Sequence, residues 1–147
     1  MPAEDLQLVG DALLPWARME LVETGELVPT GAIITDLGNV VKLRRVRAID
    51  PSAGPVIEEL TAEVIAGLRA AVTQHGARAV GWCVAHQVRG ADGAIRDAIV
   101  LQYEERGVAQ LIVQTYRDVP GEAAVFDPPK AQRATAQIFT SPTPTAS

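Results

Sequence analysis

The chain has 147 residues, of which 48% are hydrophobic and 21% are charged, and its formal net charge is −5. These proportions are those of a globular protein, and the length suits one domain with a substantial core. The acidic balance argues against a general phosphate-binding surface, so we expect no nucleic-acid partner. No stretch reaches the roughly 20 apolar residues that span a bilayer, so we expect no membrane partner.

The single cysteine excludes an internal disulfide and fits a reducing compartment. Two histidines and one cysteine are too few for a convincing zinc site, and the sequence carries no cofactor motif. Residues 1–5 are acidic and lead into no long apolar run, unlike a secretory signal. We therefore expect a cytoplasmic protein with no metal and no cofactor.

Helical periodicity marks the first element, from about residue 5 to residue 24, with Gly25 as its stop. Pro15 lies in the middle and is expected to kink this helix or split it in two. Two short apolar runs, 32–35 and 40–43, flank the turn-rich residues 36–39, which predicts a hairpin.

A second apolar stripe at helical spacing begins at Ile57, continues to Val72 and is followed by Gly76, which predicts the second helix. Three apolar runs follow it, over residues 79–88, 95–103 and 108–116. Glycine-containing segments separate them, so the sequence predicts an antiparallel meander.

The predicted order is helix, two strands, helix, three strands. We therefore expect an α+β domain over residues 1–119, with a five-stranded antiparallel sheet that carries the helices. The roadblock and profilin-like folds share this element order, which is an analogy of fold and not of activity. Both faces of the first meander strand are apolar, so helices or another subunit should cover both sides of the sheet.

Residues 120–147 form a Pro-rich tail, which we expect to be partly disordered or docked. Two apolar pairs stand out in it, Val125-Phe126 and Ile138-Phe139. They should dock on the domain or on a partner, with the last several residues mobile.

One row of polar residues is the best candidate for chemistry. A tight loop at Ala91-Asp92 would place His86 opposite Asp97, and a second tight loop would place Asp97 opposite Tyr116. A carboxylate raises the basicity of a neighbouring imidazole, and a phenol can donate a proton. The alternative is a polar rim whose members satisfy one another, and a one-residue slip of register would dissolve the row.

Cys83 and His86 resemble a nucleophile and its base, but residues three apart on a strand point to opposite faces. Cys83 is therefore predicted to be a small buried residue. Trp16 follows Pro15 and is either an anchor for a partner or a staple between the first helix and the sheet. Phe126 and Phe139 are the other candidate interaction residues.

Several short segments carry a resemblance to a known family: Gly25–Ala32, Gly38, Arg78–Val80, Asp97–Val100, Glu104 and Tyr116-Arg117. Over roughly residues 23–117 the chain resembles a small family of uncharacterised bacterial proteins of similar size. Thr115 stands where that family commonly has proline, and the turn after Glu104 is shorter here. The family has no established reaction, so the resemblance supports the fold and no activity.

The leading hypothesis is a protein–protein interaction module that forms a homodimer through an exposed sheet face or edge, with the tail able to dock in trans. A second hypothesis is a small ligand-binding protein or enzyme that uses His86, Asp97 and Tyr116. A third is an immunity-type inhibitor of a toxin, which would share the small and acidic character.

Overall fold

The computed structural model describes residues 2–24, 27–43, 57–90, 92–117 and 124–139. They form an α+β domain with two helices and an antiparallel sheet, as the sequence predicts. The elements in chain order are α1 Pro2–Thr24, β1 Thr30–Ile34, β2 Val40–Leu43, α2 Ile57–His75, β3 Ala79–Arg89, β4 Ile95–Glu105, β5 Val108–Arg117, β6 Val125–Phe126 and β7 Lys130–Arg133.

The sheet has seven strands among the described residues, so the predicted number of five is wrong. The five expected strands are present and are ordered β2-β1-β3-β4-β5. The tail supplies the other two, since β6 and β7 both pair with β5. These two short strands lie on either side of Pro128 and Pro129, and the sequence pattern does not predict them. They are strands because they pair with β5.

Helix α1 is continuous through Pro15, which excludes the split, one of the two outcomes that the sequence allowed. Proline removes one helical hydrogen bond, at a cost of about 3 kcal/mol. Leu13 and Ala17 are fully buried on either side of it, and Val9 and Leu21 extend the buried stripe. Burial of this stripe against the sheet outweighs the lost hydrogen bond.

Helix α1 covers one face of the sheet, where it packs on β1, β3 and β4. A Cβ atom at Gly81 would overlap Cγ1 of Val9, so only glycine allows the helix this close to β3. The buried residues on this face include Ala79, Cys83 and Ile99. The small residues on this face of β3 therefore permit close helix packing, as the sequence predicts.

Helix α2 covers the other face over β1, β2 and β3. Its residues Val64 and Leu68 pack in one cluster with Val80 and Trp82. The helix ends before Gly76, whose φ of 67° favours glycine. Helices thus cover both faces of the sheet, which confirms that expectation.

The tail wraps around the β5 edge from one face of the sheet to the other. Phe126 in β6 packs with the cluster under α1, and β7 then runs along β5. Ile138 and Phe139 pack with the cluster under α2. Both apolar pairs of the tail therefore contact the domain itself.

Within the described ranges, neither helix is both long and apolar enough to cross a membrane.

Candidate functional site

The first turn of the meander is one residue longer than the sequence analysis assumes. The N–H of Gly90 donates to the carbonyl oxygen of Ala94 at 2.8 Å, and the N–H of Gly93 donates to that of Gly90 at 2.9 Å. Gly93 has a φ of 82°, as the last residue of a three-residue hairpin loop requires. This loop shifts the register of β3 against β4 by one residue.

The shift takes His86 away from Asp97, so that part of the predicted row is wrong. His86 pairs with Ala98, whereas Asp97 pairs with Gln87. Side chains alternate between faces, so His86 lies on the α2 side and Asp97 on the α1 side. The second register is as predicted, with Asp97 opposite Tyr116.

A shallow cavity of about 370 Å³ remains at this end of the sheet, lined by Ala85, His86, Gln87, Asp97 and Tyr116. The ring of Tyr116 contacts that of Phe126 with centroids 5.6 Å apart. His86 borders the cavity, but its strand position directs its side chain to the opposite face from Asp97. The carboxylate and the imidazole therefore do not form the acid–base pair that the row requires.

Cys83 lies fully buried beneath α1. Burial raises the pKa of its thiol to about 12. The thiolate is the reactive form of cysteine, so Cys83 is no nucleophile near neutral pH. Its position agrees with the prediction of a small buried residue.

The parts of the chain that the structure describes contain no group of three or more His, Cys, Asp or Glu arranged to hold a metal ion.

The most elaborate polar site lies elsewhere, at Glu104 near the end of β4. Its side chain is fully buried, and its carboxylate accepts hydrogen bonds from three consecutive backbone N–H groups of the tail. Gln137 N lies 3.0 and 2.9 Å from the two carboxylate oxygens, and Ile138 N and Phe139 N lie 2.9 and 3.1 Å from Oε1. Consecutive N–H groups form a concave site for anions, and hydrogen bonds to a charged acceptor are the stronger kind.

Two further side chains hold the same segment of main chain. Nε2 of Gln102 donates to Oε2 of Glu104 at 2.8 Å and to the carbonyl oxygen of Thr135 at 2.9 Å. Nη2 of Arg69, on α2, donates to the carbonyl oxygen of Gln137 at 3.1 Å. Together with Glu104 they form what we call the Glu104 groove: Arg69, Gln102 and Glu104.

A second polar attachment holds the start of the described tail. Nε2 of Gln114 donates to the carbonyl oxygen of Asp127 at 2.9 Å, and Oγ1 of Thr115 donates to its Oδ2 at 2.6 Å. Nη1 of Arg18 donates to Oε1 of Gln114 at 3.1 Å. Helix α1, β5 and the tail are thus joined by one chain of hydrogen bonds.

The role of Gln102 and Glu104 was not predicted from the sequence, although a signal for it exists. Both side chains lie on the same face of β4 as Val100, where the paired positions of β3 are the apolar Val84, Trp82 and Val80. Two polar residues on a buried face need hydrogen-bond partners, and adjacent strands offered none. That pattern indicates a partner from another part of the chain.

The three candidate interaction residues all contact the domain. Trp16 is partly buried against the cluster beneath α1, as is Phe126, and Phe139 packs beneath α2. The exposed apolar side chains of α1 lie instead on its outer face: Leu8, Met19 and Val22 are 41%, 47% and 49% exposed.

These outer residues form a regular ridge. Leu8, Ala12, Pro15, Met19 and Val22 follow one another at alternating spacings of four and three residues. That heptad spacing places them in one seam along the helix, on the side away from the sheet. We call these five residues the α1 ridge.

No family model, no curated protein and no solved structure matches this chain. The family resemblance and the roadblock and profilin analogy therefore stay predictions, and the functional argument rests on the geometry.

Proposed function

We propose that the protein is a cytoplasmic protein–protein interaction module that forms a homodimer through the α1 ridge. The single observation that carries this proposal is the apolar seam of heptad spacing on the outer face of α1. A helix lies on each face of the sheet, and the tail lies over β4 on the α2 side, so a helix surface replaces the sheet face that the sequence suggested. Contiguous exposed apolar residues mark interaction surfaces in soluble proteins.

A second copy of the chain is the partner that suits this ridge, in antiparallel orientation. Pro15 lies at the centre of the ridge, so two antiparallel copies would place Leu8 of one copy near Val22 of the other. Asp11 and Arg18 lie seven residues apart and occupy the same heptad position. Each Asp11 would then approach the Arg18 of the second copy, which gives two symmetric ion pairs.

Arg18 can form this ion pair and keep its hydrogen bond to Gln114. Its Nη1 donates to Gln114 within the chain, and a guanidinium carries five N–H donors. The two ion pairs would favour the antiparallel orientation, because Asp11 and Arg18 lie on the same flank of the seam and can face each other across it only when the two helices are antiparallel. A twofold dimer of this kind is the commonest symmetric assembly.

Light scattering at micromolar concentration tests the proposal. We expect twice the chain mass for the wild type and the single chain mass for Met19→Glu, which places a charge in the seam. Ala66→Glu, on the exposed face of α2, is the matched control and should stay dimeric. A monomeric wild type contradicts the proposed dimer.

The orientation has its own test. Mixing an Asp11→Arg chain with an Arg18→Asp chain should give a dimer of the two variants, while each alone should dimerise poorly. Equal dimerisation of the separate variants would contradict the antiparallel pairing.

The enzyme hypothesis is the weaker proposal, because His86 and Asp97 both border the cavity but lie on opposite faces of the sheet. An immunity-type inhibitor would be a special case of the interaction module, with a toxin as its partner. No contact in the described chain favours that special case over other protein partners.

A further inference from the structure

We infer that the Glu104 groove is a binding site for a peptide segment of a partner protein that pairs as a strand and then bends, and that the chain's own residues 130–139 occupy it as a built-in ligand. This site is separate from the α1 ridge. The groove lies on the α2 side of the sheet, whereas the ridge lies on the outer face of α1.

The groove recognises main chain and not side chains. Glu104 accepts from the N–H groups of Gln137, Ile138 and Phe139, and Gln102 and Arg69 donate to the carbonyl oxygens of Thr135 and Gln137. These atoms exist in every peptide that has no proline at the three N–H positions. The groove therefore selects a conformation, a bend in which three consecutive N–H groups converge on one carboxylate.

Main-chain pairing extends the same recognition along β5. Residues Lys130 to Arg133 pair with Gln110 to Val113 in antiparallel register. All four residues of β7 are exposed, so their side chains contribute little to the attachment. A segment of different sequence could replace them without loss of the ladder.

Two positions add side-chain selectivity. Ile138 and Phe139 are partly buried against the cluster under α2, so the ligand needs an aliphatic residue followed by an aromatic one. Residues 130–139 contain Lys130 and Arg133 and no acidic residue, so no carboxylate of the segment opposes that of Glu104. The expected ligand class is a neutral or basic peptide that is extended at first, then bends and ends in such a pair.

The resident tail sets the affinity for any external segment. A ligand attached to its own site has a high effective concentration, so it competes strongly with a free peptide. An external peptide should therefore bind weakly to the wild type and tightly once the tail is unseated.

Binding of a labelled peptide with the sequence of residues 130–139 tests the inference by fluorescence anisotropy. The receptor is the full chain carrying Ile138→Pro, which removes one of the three N–H groups and leaves the groove intact. We expect this chain to bind the peptide about tenfold or more tightly than the wild type does. Phe139→Ala is a second, milder way to unseat the tail and should act in the same direction.

Two controls connect the binding to the groove. A peptide with proline at the position of Ile138 should not bind, and adding Glu104→Ala to the Ile138→Pro chain should abolish binding of the unmodified peptide. The inference is overturned if folded Ile138→Pro and Phe139→Ala chains both fail to bind the peptide, or if the proline peptide binds equally well. The double variant Met19→Glu/Ile138→Pro should be monomeric and should still bind the peptide. Light scattering therefore tests the proposed dimer, and peptide binding tests the groove independently of it.

Discussion

The two faces of the sheet are closed in different ways. On one face a single helix, α1, lies across β1, β3 and β4 and buries a stripe of apolar side chains. On the other face α2 reaches only β1, β2 and β3, and the tail completes the cover over β4. The first closure is made mainly of apolar side chains, whereas the second adds main-chain hydrogen bonds of the tail to one carboxylate beside the apolar cluster under α2.

This difference predicts different opening behaviour. The α1 face contains fully buried apolar residues on both the helix and the sheet, so exposing it amounts to unfolding the domain. The tail is held by strand pairing along the edge of β5, a few side-chain hydrogen bonds and three partly buried apolar residues, none of them fully buried, so it can open alone. Local opening with a smaller free energy than global unfolding is expected of such a segment.

The largest loss in the free energy of unfolding is expected from Gly81→Val on the α1 face. The new side chain would overlap Val9, and the backbone oxygen of Gln102 lies 3.3 Å from its Cβ position. Neither neighbour can move without displacing α1 or β4, so we expect urea unfolding to show a loss of about 3 kcal/mol.

Gly67→Ala in α2 is the matched control for Gly81→Val. The nearest atom to a Cβ at Gly67 is Cδ1 of Leu43 at 3.9 Å, and the residue is exposed within a helix. Alanine there should raise the free energy of unfolding by about 0.5–1 kcal/mol. An unchanged free energy of unfolding for Gly81→Val would show that α1 does not pack closely on β3 as described.

A smaller loss in the free energy of unfolding, of about 2 kcal/mol, is expected from Glu104→Ala on the α2 face. The substitution removes the acceptor of three backbone N–H groups and of the Gln102 amide. The loss is limited because the tail can leave and expose those N–H groups to water. Glu104→Gln keeps one acceptor oxygen and should lie between the alanine variant and the wild type.

Limited trypsin digestion distinguishes local opening of the tail from destabilisation of the whole domain. Lys130 and Arg133 are exposed cleavage sites on β7. Glu104→Ala should accelerate cleavage at these two residues under conditions where the other lysines and arginines of the described residues resist. Gly81→Val should accelerate cleavage throughout the chain, and the same selective pattern in both variants would contradict the contrast between the two faces.

Much of the α1 face could be predicted from the sequence, because its information lies in local periodicity. The buried stripe of α1, the small residues of β3 and the register at Arg106-Gly107 all follow from spacing and turn chemistry. The register at the other turn does not, because residues 90–93 can close a loop of two or three residues. Only the hydrogen bond between Gly90 and Ala94 decides between them.

The attachment of the tail to the α2 face could not be predicted either, and the reason is different. Glu104 and Gln137 are 33 residues apart, and the atoms that meet the carboxylate are backbone N–H groups, which every residue except proline carries. The two tail strands likewise exist only through their pairing with β5. The sequence could indicate that Gln102 and Glu104 need partners, but not which segment supplies them.

The smallest effect is expected from Phe126→Ala, at the end of the tail that lies on the α1 face. Phe126 contacts Tyr116 and is half-buried, so its removal should cost about 1 kcal/mol. Val125→Ala, next to it and exposed, is the control and should change the free energy of unfolding little. Urea unfolding of the two single variants measures the difference.

The double variant Glu104→Ala/Phe126→Ala then tests whether the tail is one unit or two. If the whole tail detaches together, Glu104→Ala has already released Phe126, and the double variant should be no less stable than Glu104→Ala alone. If the two attachments are independent, the losses should add, because Phe126 would stay on the α1 face after residues 134–139 have left the groove. Additive losses would mean that the tail belongs partly to each face, whereas we expect the non-additive result, because one short stretch of chain joins both attachments across the β5 edge.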